Sequence, residues 1–226
     1  MPEDPANSDR QDPLVDLPAR TLIAQVADPA HNSGGGVAAG LTLAAAAASA
    51  ELVMTLASRK KSLEPQRPQI QSLLESIQAH RISFEDAADR DVRAFSQLVS
   101  TQRSAREIRD SDPAAAQKLL QSSYVQAAMT PFEISTEALE FIRDVESGLP
   151  FASRFTISDL GAAAALARGA IEAALLTVDA NLAYVDDDAA EPLKQQAVSI
   201  HDQAEAIARR VVERARTAIA NRPKES

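Results

Sequence analysis

The chain has 226 residues, contains no cysteine and carries a formal net charge of −9 at pH 7. These properties exclude disulfides and thiolate chemistry, and they argue against a nucleic-acid-binding protein, which would normally be basic. Three histidines, His31, His80 and His201, are far apart and form no zinc-ligand motif, so we expect no metal site.

The first segment, residues 1–16, is polar, acidic and proline-rich, and it lacks the basic and apolar regions of a signal peptide. We therefore predict a disordered acidic tail over residues 1–16 and a helical domain over residues 17–222. The domain is expected to begin with a short helix at about Ala19–Ala27. Without a signal peptide, the protein is expected to be cytoplasmic.

Three consecutive glycines, residues 34–36, lead directly into a run that is mostly alanine. Glycine lets bare backbone approach a neighbour closely, and alanine is the best helix former. We predict that the glycines form a loop whose backbone closely approaches a neighbouring group, at the start of a tightly packed helix. The run approaches the ~20 residues that span a bilayer. However, Glu51 interrupts it and SRKK follows it, so a buried helix is favoured and no membrane partner is expected.

Helical spacing continues through the rest of the chain, and strand signals are scarce. One helix is predicted to begin within residues 65–69. The next is predicted to begin at Ser111 or Asp112, with Pro113 in its first turn, and Pro131 is expected to kink or interrupt it. A second alanine-rich helix follows TISDLG.

A charged amphipathic helix from about Ala189 to Ala220 ends the pattern. The expected fold is all-α, a bundle of about six or seven helices. Neither alanine-rich helix has a clean polar face, so both are expected at the centre, buried on nearly all sides.

Two polar residues lie on otherwise apolar stripes. Asp91 follows Phe84 and Ala88 and precedes Phe95 on one helix face. A buried carboxylate must find partners or become neutral, so a helix-capping or arginine-pairing role and a functional role both stay open. Asn181 is the second such residue, and a hydrogen bond to a neighbouring group is the simpler interpretation for it.

The ends of the alanine-rich helices also carry polar groups. Ser158 or Thr156 can cap the second helix, and Asp159 complements its dipole. The same helix start could hold a polar group of a ligand. Three cations, Arg59, Lys60 and Lys61, follow the C-terminal end of the first alanine-rich helix. There they complement the helix dipole and are suited to bind an anionic ligand.

Four segments resemble, in order, the motifs of one known family. SGGGVAAGLTLAAAAASAELVMTLASRKK resembles its PTPGGG helix with a lysine-rich end, and DRDVRAF resembles its D-x-x-A-F segment. MTPFEISTEALE resembles T-x-V-P-L-E, and TISDLGAAAALARGAIEAALLTVDANL resembles an S-D-x-G helix ending in N-x-x-x-N-L. Over about Ala19 to Val185, the chain resembles the formiminotetrahydrofolate cyclodeaminase and methenyltetrahydrofolate cyclohydrolase family.

The resemblance implies an all-helical homodimer with a folate site in a cleft between subunits. The implied substrate is a tetrahydrofolate derivative, either the methenyl form, which is hydrolysed, or the formimino form, which cyclises with loss of ammonia. No metal is implied. Lys60, with Asp91 as its partner, is the implied catalytic pair. The implied substrate-binding residues are Gly34, Gly35, Gly36, Arg59, Lys61, Ser158, Asp159 and Asn181.

The chain departs from these motifs near the expected site. A non-catalytic or altered-ligand member that binds a folate-like molecule as a helical dimer is therefore an alternative to an enzyme. A purely structural dimer with a vestigial pocket is a third possibility. The replaced positions are His31, Asn32 and Ser33 for PTP, Val37 for a small polar residue, Arg59–Leu63 for GKKKY, and Thr177 for the first Asn of the last motif.

Overall fold

The computed structural model describes residues 13–29 and 34–221, and within these ranges it contains six α-helices and no strand. The predicted all-α bundle is therefore confirmed. Three short 3₁₀ helices cover Leu14–Asp16, Lys61–Gln66 and Leu149–Phe151. The α-helices are α1 (Ala19–Ala27), α2 (Gly35–Ser58), α3 (Arg67–Ile108), α4 (Pro113–Gly148), α5 (Ile157–Leu182) and α6 (Asp187–Ala220).

Several predicted segments fall partly or wholly outside the described residues. These segments are residues 1–12 of the acidic tail and residues 31–33 of the loop before the glycines. Residues 14–16, which were expected in the tail, form a 3₁₀ helix instead. The Leu14 N–H donates to both carboxylate oxygens of Asp89 on α3, at 3.3 and 3.2 Å, and this ties the segment to the bundle.

Most helix boundaries follow local signals in the sequence. The Asp112 carboxylate accepts a hydrogen bond from the Ala115 N–H at 3.0 Å, and Pro113 occupies the first position of α4, where its missing N–H costs nothing. The predicted interruption at Pro131 is wrong, because α4 continues through this residue. Pro131 cannot donate to the Ala127 carbonyl four residues earlier. Asn181 of α5 donates to that carbonyl instead, at 3.4 Å.

The two alanine-rich helices, α2 and α5, pack against each other at the front of the bundle. α3 and α6 flank them, and α4 packs behind. Small residues let the helices approach closely: a methyl group added to Gly40 would lie 3.0 Å from the Ala88 backbone nitrogen. Gly148 of α4 lies between Met54 of α2 and Leu160 of α5, so the end of α2 meets the start of α5.

The expectation that α2 and α5 are buried on nearly all sides is not met within one chain. Each has the length and apolarity of a membrane span, yet only half of the most apolar stretch is buried by packing. The solvent-facing side of α2, and that of α5 away from α6, carry apolar or small uncharged residues, whereas the exposed Arg168 and Asp179 lie on the α6 side of α5. On α2 the apolar or small residues include Ala38, Ala45, Ala48, Leu52 and Leu56, and on α5 Ala162, Ala165, Leu166, Gly169, Leu176 and Ala180. We call this surface the apolar face.

A charged cluster joins α3 to α4. The His80 ring stacks on Phe84 and lies between two carboxylates, with Nδ1 3.4 Å from Glu137 and Nε2 3.6 Å from Asp144. Ser76 donates to Asp144 at 2.6 Å. Burial lowers the pKa of His80, but its bonds to Asp144 and Glu137 outweigh burial and raise the pKa to about 9. The imidazolium is therefore present at neutral pH.

This cluster predicts a loss of stability at alkaline pH. The stabilisation from His80 is complete below the unfolded-state pKa of 6.5 and disappears as pH rises through about 9. In urea unfolding between about pH 7 and pH 10, the wild type should lose more stability than His80→Gln. Equal pH slopes for the two proteins would contradict a charged His80.

Candidate functional site

The glycine segment and Asp91 meet at the start of α2. A cavity of about 370 Å³ opens here, lined by Pro29, Gly34, Gly35, Gly36, Asp91, Phe95 and Thr177. A methyl group added to Gly36 would lie 2.5 Å from Asp91 Oδ2, and closer still to its Oδ1 and Cγ. The carboxylate therefore lies directly against the first turn of α2, and a side chain at position 36 would require Asp91 or α2 to move.

Asp91 has no hydrogen-bond or ion-pair partner among residues 13–29 and 34–221, so neither of the expected structural roles, helix capping or arginine pairing, is observed. Burial raises its pKa from the ordinary 3.8 to about 6. An unpaired carboxylate with such a pKa can hold or release a proton near neutral pH. It would also attract a cation that enters the cavity.

The structure shows which of the three glycines makes the close approach that the sequence predicted. The backbone does not require glycine at residues 34–36, because none of these residues has a φ in the left-handed region. Gly34 has no neighbouring atom within 4 Å of an added methyl group, and Gly35 has only Thr177 Oγ1 at 3.7 Å. The close approach predicted from the sequence is therefore made at Gly36, and Asp91 is the group that approaches.

Three cavity residues, Pro29, Phe95 and Thr177, were not among the predicted site residues. Phe95 lies one helical turn after Asp91 and is 43% exposed, so its ring is accessible at the cavity. Thr177 faces Gly35 from α5, and its hydroxyl donates to the Ala173 carbonyl of its own helix. Phe95 could have been predicted from its position four residues after Asp91 on the same helix face. The only sequence feature that pointed to Thr177 was its departure from the family motif.

Asn181 does not line this cavity. Its Nδ2 donates to the Thr177 carbonyl at 2.9 Å and to the Ala127 carbonyl at 3.4 Å. The second bond satisfies the acceptor that Pro131 leaves without a donor. The amide of Asn181 thus joins α5 to α4, which agrees with the simpler of the two interpretations, a hydrogen bond to a neighbouring group.

This arrangement predicts that Asn181 and Pro131 are energetically coupled. Asn181→Leu should destabilise the protein by roughly 1–3 kcal/mol, because the buried Ala127 carbonyl loses its donor. In a Pro131→Ala background the new N–H can bond to Ala127, so the same substitution should cost at least about 0.5 kcal/mol less. Urea unfolding of the two single variants and the double variant measures this coupling. Additive effects would contradict it.

The remaining predicted site residues lie at the other end of α2. Arg59, Lys60 and Lys61 follow the last turn of α2, and the start of α5, with Ser158 and Asp159, is close by. Because α2 has 24 residues, this end is roughly 36 Å from the glycine segment. The expected pairing of Lys60 with Asp91 therefore does not occur within one chain.

The start of α5 also differs from the predicted cap. Thr156 occupies the capping position, but its side chain makes no capping bond, and its hydroxyl accepts from the Ser153 N–H at 3.0 Å. Ser158 lies inside the first turn and is exposed. Asp159 occupies the first turn as predicted. Ser158 and Asp159 thus border the end of the bundle that carries the cations.

Two polar clusters result, one at each end of α2. The glycine-end cluster comprises the glycine segment and Asp91, and the lysine-end cluster comprises Arg59, Lys60, Lys61, Ser158 and Asp159. Within the part of the chain that the structure describes, no group of three or more histidine, aspartate and glutamate side chains is placed to hold a metal ion. The apolar face of α2 and α5 runs between the two clusters.

Comparisons with known proteins agree with this architecture. The solved structure of formiminotetrahydrofolate cyclodeaminase from Thermotoga maritima superposes with a TM-score of 0.74 at 21% sequence identity, covering 91% of this chain and 96% of that one. A comparison with curated protein sequences gives no match. A model of the formiminotransferase-cyclodeaminase family matches residues 18–199. This match covers most of the chain and includes both polar clusters, and the chain therefore belongs to the formiminotransferase-cyclodeaminase family.

Proposed function

We propose that this protein is a folate-dependent one-carbon enzyme, either a methenyltetrahydrofolate cyclohydrolase or a formiminotetrahydrofolate cyclodeaminase. The observation that carries the proposal is the Asp91 carboxylate, which has no partner in the described part of the chain and lies against Gly36 in a cavity beside an exposed aromatic ring. A structural carboxylate would have a partner in the bundle. Family membership supports a folate-related substrate.

Both reactions pass through a tetrahedral carbon between N5 and N10 of the folate. In the hydrolysis, water adds to the methenyl carbon and loses a proton. The hydroxyl then gives up its proton and N5 takes up a proton as the N5–C bond breaks, which leaves a formyl group on N10. In the cyclisation, N10 adds to the formimino carbon and loses its proton, and the imino nitrogen takes up two protons and leaves as ammonia. Asp91, with a pKa of about 6, is suited to accept or return the proton. Its negative charge also stabilises the cationic methenyl form.

The active form is proposed to be a homodimer in which the apolar face of each chain covers that of the other. An uncharged surface of this length, lying on two adjacent helices, is typical of an interface between protein chains. A two-fold axis across the middle of α2 would bring the lysine-end cluster of one chain to the glycine-end cluster of the other. Lys60 of the partner subunit would then complete the catalytic pair with Asp91, and Arg59 or Lys61 would hold the folate glutamate.

A single charge should disrupt this dimer. Leu52→Glu places a carboxylate on the apolar face, where Leu52 is 53% exposed in one chain. Sedimentation velocity at micromolar protein should give a dimer for the wild type and a monomer for this variant. Ile82→Glu is the matched control, because Ile82 is 60% exposed but belongs to α3. A wild-type monomer, or equal dissociation of both variants, would overturn the proposed interface.

Assays of both substrates with the purified protein test the reaction itself. Loss of methenyl absorbance on enzyme addition reports hydrolysis, and release of ammonia from the formimino compound reports cyclisation. We expect one of the two to proceed above the rate without enzyme. Folate binding without turnover in either assay would favour the non-catalytic alternative, and absence of both would overturn the proposed function.

A further inference from the structure

A second groove lies on another side of α3, between α3 and α4. It has a volume of about 530 Å³ and shares no lining residue with the Asp91 cavity. Arg90 and Arg93 line one end of it, and Gln97, Gln126 and Thr130 line its walls. Arg93 forms an ion pair with Asp86 at 3.5 Å, so the arginine end of the groove offers guanidinium groups with acidic neighbours and carries no net positive charge.

The guanidinium of Arg90 is poorly satisfied by the protein. Its Nη2 reaches the backbone and side-chain oxygens of Ser83 only at 3.4 Å. The nearest carboxylate oxygens, on Asp86 and Glu137, are 3.7 and 3.8 Å away, which is beyond hydrogen-bond distance. Its Nε is buried and has no hydrogen-bond partner in the described part of the chain. The Arg90 side chain is 32% exposed, so its terminal guanidinium nitrogens, rather than the buried Nε, can donate to a ligand oxygen.

The walls of the groove offer further hydrogen-bonding groups. The side chains of Gln97, Gln126 and Thr130 have no partner among residues 13–29 and 34–221. Amides and hydroxyls can both donate and accept, which suits an uncharged polar ligand body. Glu133 lies on the same rim and would repel a second anionic group. The groove therefore favours a single anionic group held at the arginines.

We propose that the α3–α4 groove is a binding site for a small organic anion, whose carboxylate or phosphate group pairs with Arg90 and Arg93. The remainder of the ligand is polar and contacts Gln97 and Gln126. The planar fork of arginine matches the geometry of either oxyanion. This site is independent of the folate reaction, and its failure would leave the proposed function untouched.

Calorimetric titration of the full chain with glycerate and, separately, with glycerol phosphate at constant ionic strength tests the proposal. Binding of glycerate alone indicates a carboxylate ligand, binding of glycerol phosphate alone a phosphate ligand, and binding of both a general oxyanion site. Arg90→Gln and Arg93→Gln should each weaken binding at least about tenfold. Glu133→Gln should strengthen it, because the repulsive charge is removed. Arg106→Gln, on the same helix beyond the groove, should have no effect.

Arg93 is 64% exposed, so Arg93→Gln is expected to fold and carries the test if Arg90→Gln does not. Arg90→Lys keeps the charge but loses the fork, and it should also weaken binding. Circular dichroism checks that the helical content of each variant is unchanged. Absence of binding by both probes, or equal weakening by Arg106→Gln, would overturn the site.

Discussion

Asp91→Asn is expected to lower kcat/KM by at least about 100-fold, the usual contribution of a group that transfers a proton in the transition state. Asparagine has nearly the same volume as aspartate, so the contact with Gly36 and the helical bundle should be retained. The amide can neither take up a proton nor balance a cationic substrate. Steady-state assays of the purified variant, with the substrate that the wild type turns over, measure the loss.

The Tm of the variant and the pH dependence of kcat/KM distinguish a catalytic role of Asp91 from a structural one. The pKa of Asp91 is raised on folding, so its ionised form destabilises the folded state above about pH 6, and this cost vanishes as pH falls towards 3.8. At neutral pH the Tm of Asp91→Asn should therefore equal or exceed that of the wild type. The wild-type kcat/KM should fall as pH drops through about 6, and the residual activity of the variant should lack that decline.

Asp110→Asn serves as the matched control, because Asp110 is an exposed carboxylate just beyond α3. It should leave both turnover and Tm unchanged. A lowered Tm with normal turnover in Asp91→Asn would mean that Asp91 is a structural residue. The active cavity would then lie elsewhere.

Gly36→Ala should be the most disruptive alanine substitution in the glycine segment. The added methyl group would overlap the Asp91 carboxylate, so either Asp91 moves or α2 separates from α3. Overpacking of this kind costs roughly 1–3 kcal/mol. Turnover should fall as far as in Asp91→Asn, since the carboxylate leaves its position. Thermal unfolding and the same kinetic assay measure both effects.

Two further variants test the steric cause. Gly34→Ala has open space and should be close to wild type in Tm and turnover. Combining Gly36→Ala with Asp91→Ala removes the overlapping carboxylate, so the Tm should recover while turnover stays low. Equal destabilisation by Gly34→Ala and Gly36→Ala would show that backbone freedom, rather than the approach of Asp91, explains the glycines.

Local signals in the sequence were sufficient to predict the helices. The Asp112-Pro113 start of α4 and the bounds of α1 depend only on neighbouring residues, and both were predicted correctly. The interruption considered at Pro131 does not occur, and the group that compensates for the proline is Asn181, on another helix. No local pattern reveals that the carbonyl freed by a proline will meet an amide some fifty positions later.

Individual residues of the candidate site could be predicted from local patterns, but their contacts with each other could not. An aspartate on an apolar stripe pointed to Asp91, and three glycines before a helix pointed to a close approach. Helical periodicity does not reveal that these two features touch each other. It also gives no indication that Lys60 is separated from Asp91 by the length of α2. The family motifs placed all of these residues in one expected site. Within one chain, however, the length of α2 separates the residues at its two ends.

The length of α2 has a consequence for how the enzyme would behave on dilution. In the proposed homodimer the two polar clusters at the ends of α2 belong to different sites, so a single chain would carry two halves of a site and no complete one. Specific activity should then depend on the concentration of the protein itself, and it should fall as the chains dissociate. A cell could in this way tune the enzyme through its abundance, and a chain with one damaged cluster would spoil one of the two sites in every pair that it joins.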